Sequence, residues 1–499
     1  MGNIRTFPLG TALFIASLAA PLGVAQSTAQ PSATQSSAKK STAKKASSSK
    51  KSAAKRPAAS TPAGKKTPQK KTTTAKSATS KSVASKPVTT KPATAKSVAR
   101  RRTVTRPPLK PLPPPEPIQV DIENKDDALA PFYSALASKS SVVRILHFGD
   151  SHVAADIWTK HLRVAFQNRF GDAGSGSVLP GAVFRGYRRV GVALRAPARN
   201  WSGLTLRRPP EDGLLGLSGA ALRGDSRASF GRDGAATALG RFSSFELEVA
   251  APPGETPCAN VSVQDESEQD ESVVLEREQG EARPYGSMLL VRNRDPLRLA
   301  LHTLKVSACG DGTTPILLGL DLRTGQPGVI YDSFGINGVQ FTDLDKIPSP
   351  LRQDLLARLN PSLIIVSYGT NDMGAKGFTR EAYQAECVRL LRALRAESGG
   401  VPVLVTGPID RPGRTVQSRD HFHERSDMAI AALRAAAAET GCAFWDARAA
   451  MGGFGAMLRW KESGLAQTDL VHLTEPGYQM LAKMLAGELL PPESPSEIP

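Results

Sequence analysis

From residue 326 onwards, short runs of apolar residues alternate with stretches in which apolar residues recur at helical spacing. The runs have the length of buried strands, and the stretches have the length of helices that cover a sheet. This alternation predicts an α/β fold with a mostly parallel sheet and helices on both faces. The best-defined strands are predicted at 362–367, 401–405 and 442–445.

The same pattern occurs once earlier, where the apolar run 142–148 leads into the motif Gly149–His152 and then into an amphipathic segment. This order predicts a strand, a tight turn that contains Ser151, and a helix. Residues 180–325 instead show alternating strands separated by Gly and Pro. They are predicted to form an all-β sandwich inserted into an α/β domain built from 119–179 and 326–490.

The first 118 residues differ in charge from the rest of the chain. They hold 23 basic residues and 1 acidic residue, whereas the remaining residues hold 41 basic and 45 acidic ones. The net charge of +18 therefore comes from the N-terminal part, and the folded body is close to neutral. A neutral body gives no electrostatic reason to expect a nucleic-acid-binding fold.

Residues 1–25 have the features of a secretory signal peptide, namely Arg5, a short apolar stretch and small residues before Gln26. The apolar stretch is too short to span a bilayer, although a short membrane-anchored helix is the alternative. Both alternatives imply an exported body in the periplasm or cell envelope, or secreted. No later segment has the length and apolarity of a transmembrane span.

Residues 26–118 are rich in Lys, Ala, Ser, Thr and Pro and have no periodic apolar pattern. This composition buries too little apolar surface to offset chain entropy, so we predict a disordered linker. Three roles are open for it: a tether to anionic envelope polymers, a solvated spacer, or a Lys-rich nucleic-acid binder. The predicted signal peptide argues against nucleic acid as the partner.

Four cysteines allow three disulfide connectivities, and an even number in an exported chain is compatible with disulfides. We favour a bridge between Cys258 and Cys309, which both lie in the inserted region. Cys387 and Cys442 remain as buried thiols or as a second bridge. None of the spacings is typical of a zinc site.

Four short polar segments follow predicted strands, and the sites of parallel α/β folds lie at the carboxyl ends of their strands. The segments are Gly149–His152, Phe334–Gly338, Tyr368–Asp372 and Asp469–His472. Acyl transfer from an ester needs a hydroxyl nucleophile, a base, a group that orients the base, and donors for the oxyanion. Together the four segments contain residues of each kind.

Ser151 is the predicted nucleophile, because it lies on a tight turn where Gly149 allows close approach. His472 is the predicted base, since imidazole titrates near neutral pH. Asp469 lies three residues earlier and is predicted to bond the second ring nitrogen. The non-catalytic alternative for Ser151 is a turn residue or a helix cap.

The predicted oxyanion donors are the backbone N–H groups of Ser151 and Gly338 and the side-chain amide of Asn371. Loss of one such donor typically costs about 3 kcal/mol of transition-state stabilisation. Gly335 is an alternative to Gly338 in the same segment. An ordinary turn residue is the alternative for Asn371.

In this order, the four segments resemble the four blocks of the SGNH/GDSL hydrolase superfamily, named for Ser, Gly, Asn and His. The resemblance covers about 140–178 and 326–490. It implies a flavodoxin-like three-layer sandwich with a parallel sheet and no metal or other cofactor. The family roles fall on Ser151, Gly338, Asn371, Asp469 and His472.

Two features depart from the commoner family pattern: His152 stands where Leu is usual, and a large β insertion separates the first two blocks. Together they resemble the subgroup of bacterial peptidoglycan O-acetylesterases, which carry a carbohydrate-binding-module-like β sandwich at that place. This resemblance implies a serine esterase that removes O-acetyl groups from an envelope polysaccharide, with peptidoglycan favoured, through an acetyl-serine intermediate. His152 itself follows the nucleophile directly and is expected to be structural or part of the cleft wall.

Three other functions stay open. A polysaccharide O-acetyltransferase would use the same acetyl-enzyme. A general lipase or acylhydrolase has the same fold, although no lid-like amphipathic segment is evident. A non-catalytic envelope-binding protein with a basic tail is a different class, and the intact set of Ser, Asn, Asp and His argues against it.

Overall fold

The computed structural model describes residues 113–492, apart from 139–140, 226–232, 267–272, 311, 313 and 414. The predicted signal peptide and residues 26–112 of the predicted linker lie outside the described residues. Residues 113–118, which end that linker, have no regular secondary structure.

Ten α-helices occur within the described ranges: α1 Lys125–Ala128, α2 Ala130–Ala137, α3 Ser151–Ala154, α4 Trp158–Phe170, α5 Ser349–Leu359, α6 Arg380–Glu397, α7 Val416–Glu439, α8 Ala447–Ala450, α9 Ala456–Glu462 and α10 Glu475–Leu489. Two 3-10 helices lie at Phe341–Lys346 and Asp372–Gly374. None of these helices combines the length and the apolarity that crossing a membrane requires, as far as the structure describes the chain.

The same ranges contain sixteen strands: β1 Val142–Gly149, β2 Gly176–Val178, β3 Ala193–Arg195, β4 Trp201–Thr205, β5 Ala220–Gly224, β6 Ala236–Phe242, β7 Ser244–Ala251, β8 Asn260–Asp265, β9 Leu275–Gln279, β10 Ser287–Asn293, β11 Ala300–Ser307, β12 Ile316–Arg323, β13 Gly328–Gly335, β14 Leu363–Ser367, β15 Val403–Thr406 and β16 Ala443–Trp445.

One sheet consists of five parallel strands in the order β13-β1-β14-β15-β16. Every residue of β14 and β15 is buried, because helices cover both faces of the sheet. Continuous apolar runs are typical of strands buried in this way. The sheet confirms the α/β fold predicted from the alternating pattern.

Neighbouring residues of β1 contribute to two separate hydrophobic cores. Ile145 belongs to a core with Phe132 of α2 and Leu485 of α10. Leu146 belongs to a second core, with Leu391 of α6. The parallel sheet therefore lies between two helical layers, which confirms the three-layer sandwich that the family resemblance implied.

Between β1 and β13 the chain forms two antiparallel sheets. One has the order β4-β5-β12-β7-β10-β9, with β2 also paired to β12, and the other has the order β3-β6-β11-β8. The rings of Phe242 in β6 and Phe245 in β7 are 6.2 Å apart, within a core that both sheets share. This arrangement confirms an inserted β region.

The inserted region contains a disulfide between Cys258 and Cys309, whose Cα atoms are 6.1 Å apart. The favoured pairing is therefore correct. Cys387 and Cys442 are buried free thiols. Burial raises the pKa of both thiols, so they stay protonated and contribute to the core as small apolar side chains.

Glu248 of β7 is a buried acid within the inserted region. Burial, followed by repulsion from Glu246, raises its pKa to about 7. In the unfolded state the pKa of a glutamate side chain is about 4. The contribution of protonated Glu248 to stability is therefore fully present below that pH and is lost as the pH rises through about 7.

We expect Glu248→Gln to remove this pH dependence, because Gln does not ionise. Relative to the wild type, the free energy of unfolding of the variant should increase between pH 5 and pH 8, by roughly 1–3 kcal/mol. Urea unfolding at both pH values measures the change. Glu278→Gln, at an exposed position on β9, is the matched control. A difference from the wild type that stays constant with pH contradicts the prediction.

Candidate active site

Ser151 begins α3, directly after the carboxyl end of β1. Asp150 caps this short helix, and its Oδ1 accepts a hydrogen bond from the backbone N–H of His152 at 3.0 Å. A Cβ at Gly149 would overlap the side chain of Val153, so only glycine allows this close approach. The turn therefore presents Ser151 at the end of a central strand, where the motif predicted it.

Ser151, His472 and Asp469 form a hydrogen-bonded chain. Nε2 of His472 is 2.9 Å from Oγ of Ser151, and Nδ1 is 2.7 Å from Oδ2 of Asp469. When Nδ1–H donates to Asp469, Nε2 is free to accept the proton of the serine hydroxyl. The structure brings these three predicted residues together in the order that a nucleophile, its base and an orienting carboxylate require.

The loop before α10 fixes the carboxylate of Asp469. Its Oδ1 accepts hydrogen bonds from the backbone N–H groups of Val471 and His472, both at 3.0 Å. Burial raises the pKa of Asp469. The hydrogen bonds from the His472 side chain and from the two backbone groups lower it by a larger amount, so the pKa lies below its usual range. Asp469 is therefore ionised at neutral pH and can stabilise an imidazolium at His472.

The loop after β13 packs against the nucleophile turn. Gly335 pairs with Gly149 in the parallel sheet, and a Cβ at Gly335 would overlap the backbone nitrogen of Ala154. Gly335 is thus needed for packing. Gly338 lies three residues later with φ of 75°, a left-handed conformation that favours glycine.

Asn371 connects this loop to the nucleophile turn. Its Nδ2 donates to the carbonyl of Val339 at 3.0 Å and to Oδ2 of Asp150 at 3.3 Å. The amide is thereby held between the loop of Gly338 and the residue that precedes Ser151. An oxyanion formed at Ser151 would compete with these two acceptors for the same N–H groups. The oxyanion roles of Ser151, Gly338 and Asn371 stay predictions.

Two buried aspartates hold the loops around the site. Oδ1 of Asp372 accepts from the backbone N–H of Phe341, and Oδ2 accepts from that of Gly369, both at 2.9 Å. Burial is the largest cause that raises the pKa of Asp150 to about 7 and that of Asp372 to about 6. Asp372 thereby ties the loop after β13 to the loop after β14.

His152 is buried beside the catalytic histidine candidate. The ring centroids of His152 and His472 are 5.4 Å apart, and Nδ1 of His152 is 2.9 Å from the hydroxyl of Tyr478. Burial, together with His472 and Arg411, lowers the pKa of His152 to about 3. His152 is therefore neutral near pH 7 and is a weak base, in agreement with a structural role.

Three residues at the site were not predicted from the sequence. Tyr478 binds His152, Arg411 donates to the carbonyl of Thr370, and Arg207 of the inserted region lies against Gly338. Arginines occur throughout this chain, and these two lie in no motif. The sequence indicates Tyr478 only by its position in Pro-Gly-Tyr shortly after His472, and this position does not predict a hydrogen bond to His152.

Comparison with known proteins gives two kinds of match. Residues 306–480 match the GDSL-like Lipase/Acylhydrolase family. Among solved structures, a peptidoglycan O-acetylesterase superposes with a TM-score of 0.56 and 23% identity, over 74% of this chain and 97% of the other. No curated protein matches the sequence significantly.

Further solved structures resemble only a smaller part of the chain. A lipase/acylhydrolase from Enterococcus faecalis matches with a TM-score of 0.26 and 17% identity, over 32% of this chain and 76% of its own. A GDSL-like lipase from Bacteroides thetaiotaomicron matches with a TM-score of 0.25 and 16% identity, over 32% of this chain and 75% of its own.

The peptidoglycan O-acetylesterase structure is a match in fold, whereas the family match is a match in sequence. The family segment contains Gly338, Asn371, Asp469 and His472, and Ser151 joins them through the pairing of β1 with β13. The chain therefore has the SGNH hydrolase fold and resembles peptidoglycan O-acetylesterases, and the family match supports a GDSL/SGNH-type acylhydrolase.

Proposed function

We propose that this protein is a serine esterase that removes O-acetyl groups from a cell-envelope polysaccharide, with peptidoglycan as the favoured substrate. The hydrogen-bonded chain of Ser151, His472 and Asp469 at the carboxyl ends of the strands carries the proposal. Such a chain activates a hydroxyl nucleophile at neutral pH.

In the first half of the reaction, Oγ of Ser151 attacks the carbonyl carbon of the acetyl ester while Nε2 of His472 takes the hydroxyl proton. The bond to the sugar oxygen then breaks, and His472 gives its proton to that oxygen. The product is an acetyl ester of Ser151. Asp469 holds the imidazole in the productive tautomer and stabilises its positive charge.

In the second half, water attacks the acetyl-serine and His472 takes a proton from it. Acetate leaves, and the proton returns to Ser151. The amide of Asn371 and the backbone N–H groups of Ser151 and Gly338 would stabilise the negative oxygen in both halves. An O-acetyltransferase would differ only in the second half, where a sugar hydroxyl replaces water.

The choice of an acetylated glycan is supported by the extent of the fold match. The peptidoglycan O-acetylesterase is matched over 97% of its length, so the likeness includes more than the parallel sheet. The inserted β region also adds a residue, Arg207, to the edge of the site. We infer from both that the insertion contributes to binding of the polysaccharide.

Acetate release from O-acetylated peptidoglycan tests the substrate. We expect release from the native polymer and none from the same polymer after mild alkaline deacetylation. Acetylated xylan and 4-nitrophenyl esters of acetate and octanoate complete the panel. Cleavage of aryl esters without acetate release from any glycan contradicts the substrate, and a preference for octanoate favours a lipase instead.

We also propose that the protein is exported and that residues 26–118 bind anionic envelope polymers. The signal-like residues 1–25 and the concentration of basic residues before residue 118 support this. Binding of the full protein to an anionic polymer should weaken as salt rises. If the protein does not bind the polymer at low salt, the linker is only a spacer. If cell fractionation finds the protein in the cytoplasm with residues 1–25 still attached, the proposal of export is wrong.

A further inference from the structure

Arg207 brings a positive charge from the inserted region to the edge of the active site. It follows β4 and is exposed. Its guanidinium lies so close to Gly338 that an added Cβ there would overlap Nη1. The next residue, Val339, provides the carbonyl that binds Asn371. Arg207 is therefore beside the loop that carries the predicted oxyanion donors.

The backbone that carries Arg207 is held from two sides. Leu206 is buried, and its backbone N–H donates to the carbonyl of Gly219 at 2.9 Å within the inserted region. Its own carbonyl accepts a hydrogen bond from Nζ of Lys346, which belongs to the α/β domain, at 2.9 Å. These contacts hold the backbone from which the Arg207 side chain extends.

The guanidinium of Arg207 has no acidic partner among the described residues. The carboxylates of the site are already used, since Asp469 binds His472, Asp372 binds two backbone N–H groups and Asp150 binds His152 and Asn371. An exposed arginine that forms no ion pair with the described residues, on a backbone held at the edge of a site, is suited to bind an anion from solution.

A second arginine adds to the positive charge around the nucleophile helix. Arg188, also from the inserted region, is exposed, and its Nε donates to the carbonyl of Ala155, the residue that follows α3, at 2.6 Å. Arg207 and Arg188 thus bring two positive charges of the inserted region to the surroundings of α3 and of the Gly338 loop. A neutral polysaccharide gains little from such charges, whereas a carboxylated one is attracted.

We propose that Arg207 binds a carboxylate of the glycan close to the scissile acetyl ester, and that the enzyme thereby selects acetylated glycans that carry carboxylates. This inference rests on the proposed function and deepens it by naming the substrate class. The planar guanidinium can donate two parallel hydrogen bonds to a carboxylate, which fixes the orientation of the glycan as well as its position.

The test compares kcat/KM for acetate release from O-acetylated peptidoglycan and from the same polymer after its carboxyl groups have been amidated with carbodiimide and ammonia. We expect the wild type to prefer the native polymer, and Arg207→Ala to reduce this preference about 10- to 100-fold, because a hydrogen bond to a charged group is lost. Most of the change should appear in KM. Arg207→Lys should restore part of the preference, since it restores the charge without the two parallel donors.

Arg241→Ala is the matched control, because Arg241 is exposed on β6 in the other sheet of the inserted region. It should retain the preference of the wild type. A general loss of folding or of loop structure lowers kcat/KM on both polymers equally and leaves their ratio unchanged. An unchanged ratio in Arg207→Ala, or a wild type without preference, overturns the inference.

A failure of the proposed function has a different outcome, because then the wild type releases acetate from neither polymer. In that case 4-acetoxybenzoate and its methyl ester replace the polymers, since one carries a carboxylate and the other does not. If Arg207→Ala reduces the preference for 4-acetoxybenzoate over its methyl ester, the result supports the anion site. An unchanged preference overturns it.

Discussion

Replacement of Ser151 by Ala is expected to lower kcat for acetate release by about 10⁴-fold or more. Oγ of Ser151 is the atom that would form the acetyl ester, and no other hydroxyl within the described residues lies at a comparable hydrogen-bonding distance from Nε2 of His472. The residual rate would come from binding and oxyanion stabilisation alone. Acetate release from O-acetylated peptidoglycan and hydrolysis of 4-nitrophenyl acetate both measure the effect.

The side chain of Ser151 is half-buried and contacts His472, so its truncation should not disturb the fold. Circular dichroism and thermal unfolding of the variant should therefore match those of the wild type. A second variant, His472→Ala, is expected to cause a similar loss, and the double variant should lose little more, because the residues act as a unit. Activity that survives Ser151→Ala, or losses that add in the double variant, contradicts the mechanism.

Replacement of Arg144 by Ala is expected to lower the free energy of unfolding by about 3–5 kcal/mol. Arg144 lies in β1 and is buried, and its Nε donates to Oδ2 of Asp332 in β13 at 2.7 Å. Its Nη1 donates to Oδ2 of Asp321 in β12 at 3.1 Å. Removal of the guanidinium leaves two buried carboxylates without their main counter-charge.

The direction of the pKa shift at Asp321 supports this expectation. Burial raises the pKa of Asp321. The charge and hydrogen bonds of Arg144 lower it by a larger amount, so the pKa lies below the usual range. Chemical unfolding measures the loss. Arg389→Ala, at an exposed arginine that pairs with Glu386 at 2.7 Å, is the control and should cost less than about 1 kcal/mol. If Arg144→Ala does not fold, Arg144→Lys provides the measurement, and a cost equal to that of the control contradicts the prediction.

The parallel sheet and the candidate triad of Ser151, Asp469 and His472 were predictable, because each appears in the sequence as a short local pattern. Each strand appears as a continuous apolar run, and three of the four polar segments of the site follow a strand directly. The fourth segment, Asp469–His472, lies in the loop between α9 and α10, so the prediction that it follows a strand was wrong. The strand register explains why the segments meet. Since the carboxyl ends of parallel strands share one edge of the sheet, Ser151 and the loop of Gly338 lie close together once β1 pairs with β13.

The extent of α7 was harder to predict. Met428, Ile430 and Leu433 predict a helix in its later part, but the helix begins at Val416, more than ten residues before them. The first turns follow a capping box, in which the side chain of Thr415 accepts a hydrogen bond from the backbone N–H of Ser418 at 3.2 Å. Capping and packing thus extend a helix through a polar segment that lacks apolar periodicity.

The charged contacts could not be predicted from sequence, because they join distant segments. Arg144 and Asp321 are separated by 177 residues, and Arg207 and Gly338 meet only through the packing of the insertion on the α/β domain. A charge pattern does not state which arginine pairs with which acid. Such contacts depend on the three-dimensional path of the chain, and so does the anion site inferred at Arg207.

The inserted region also affects the order in which the active site can form. Ser151 and His472 are 321 residues apart in the chain, and the antiparallel pairing of β2 with β12 brings Gly176 and Leu322 side by side. Until that pairing closes the insertion, the long loop opposes the contact between β1 and β13 through its entropy. During folding, Ser151 therefore stays apart from its hydrogen-bond partner His472 until the segment from β16 to α10 has joined the sheet, and the proposed ester cleavage requires that step.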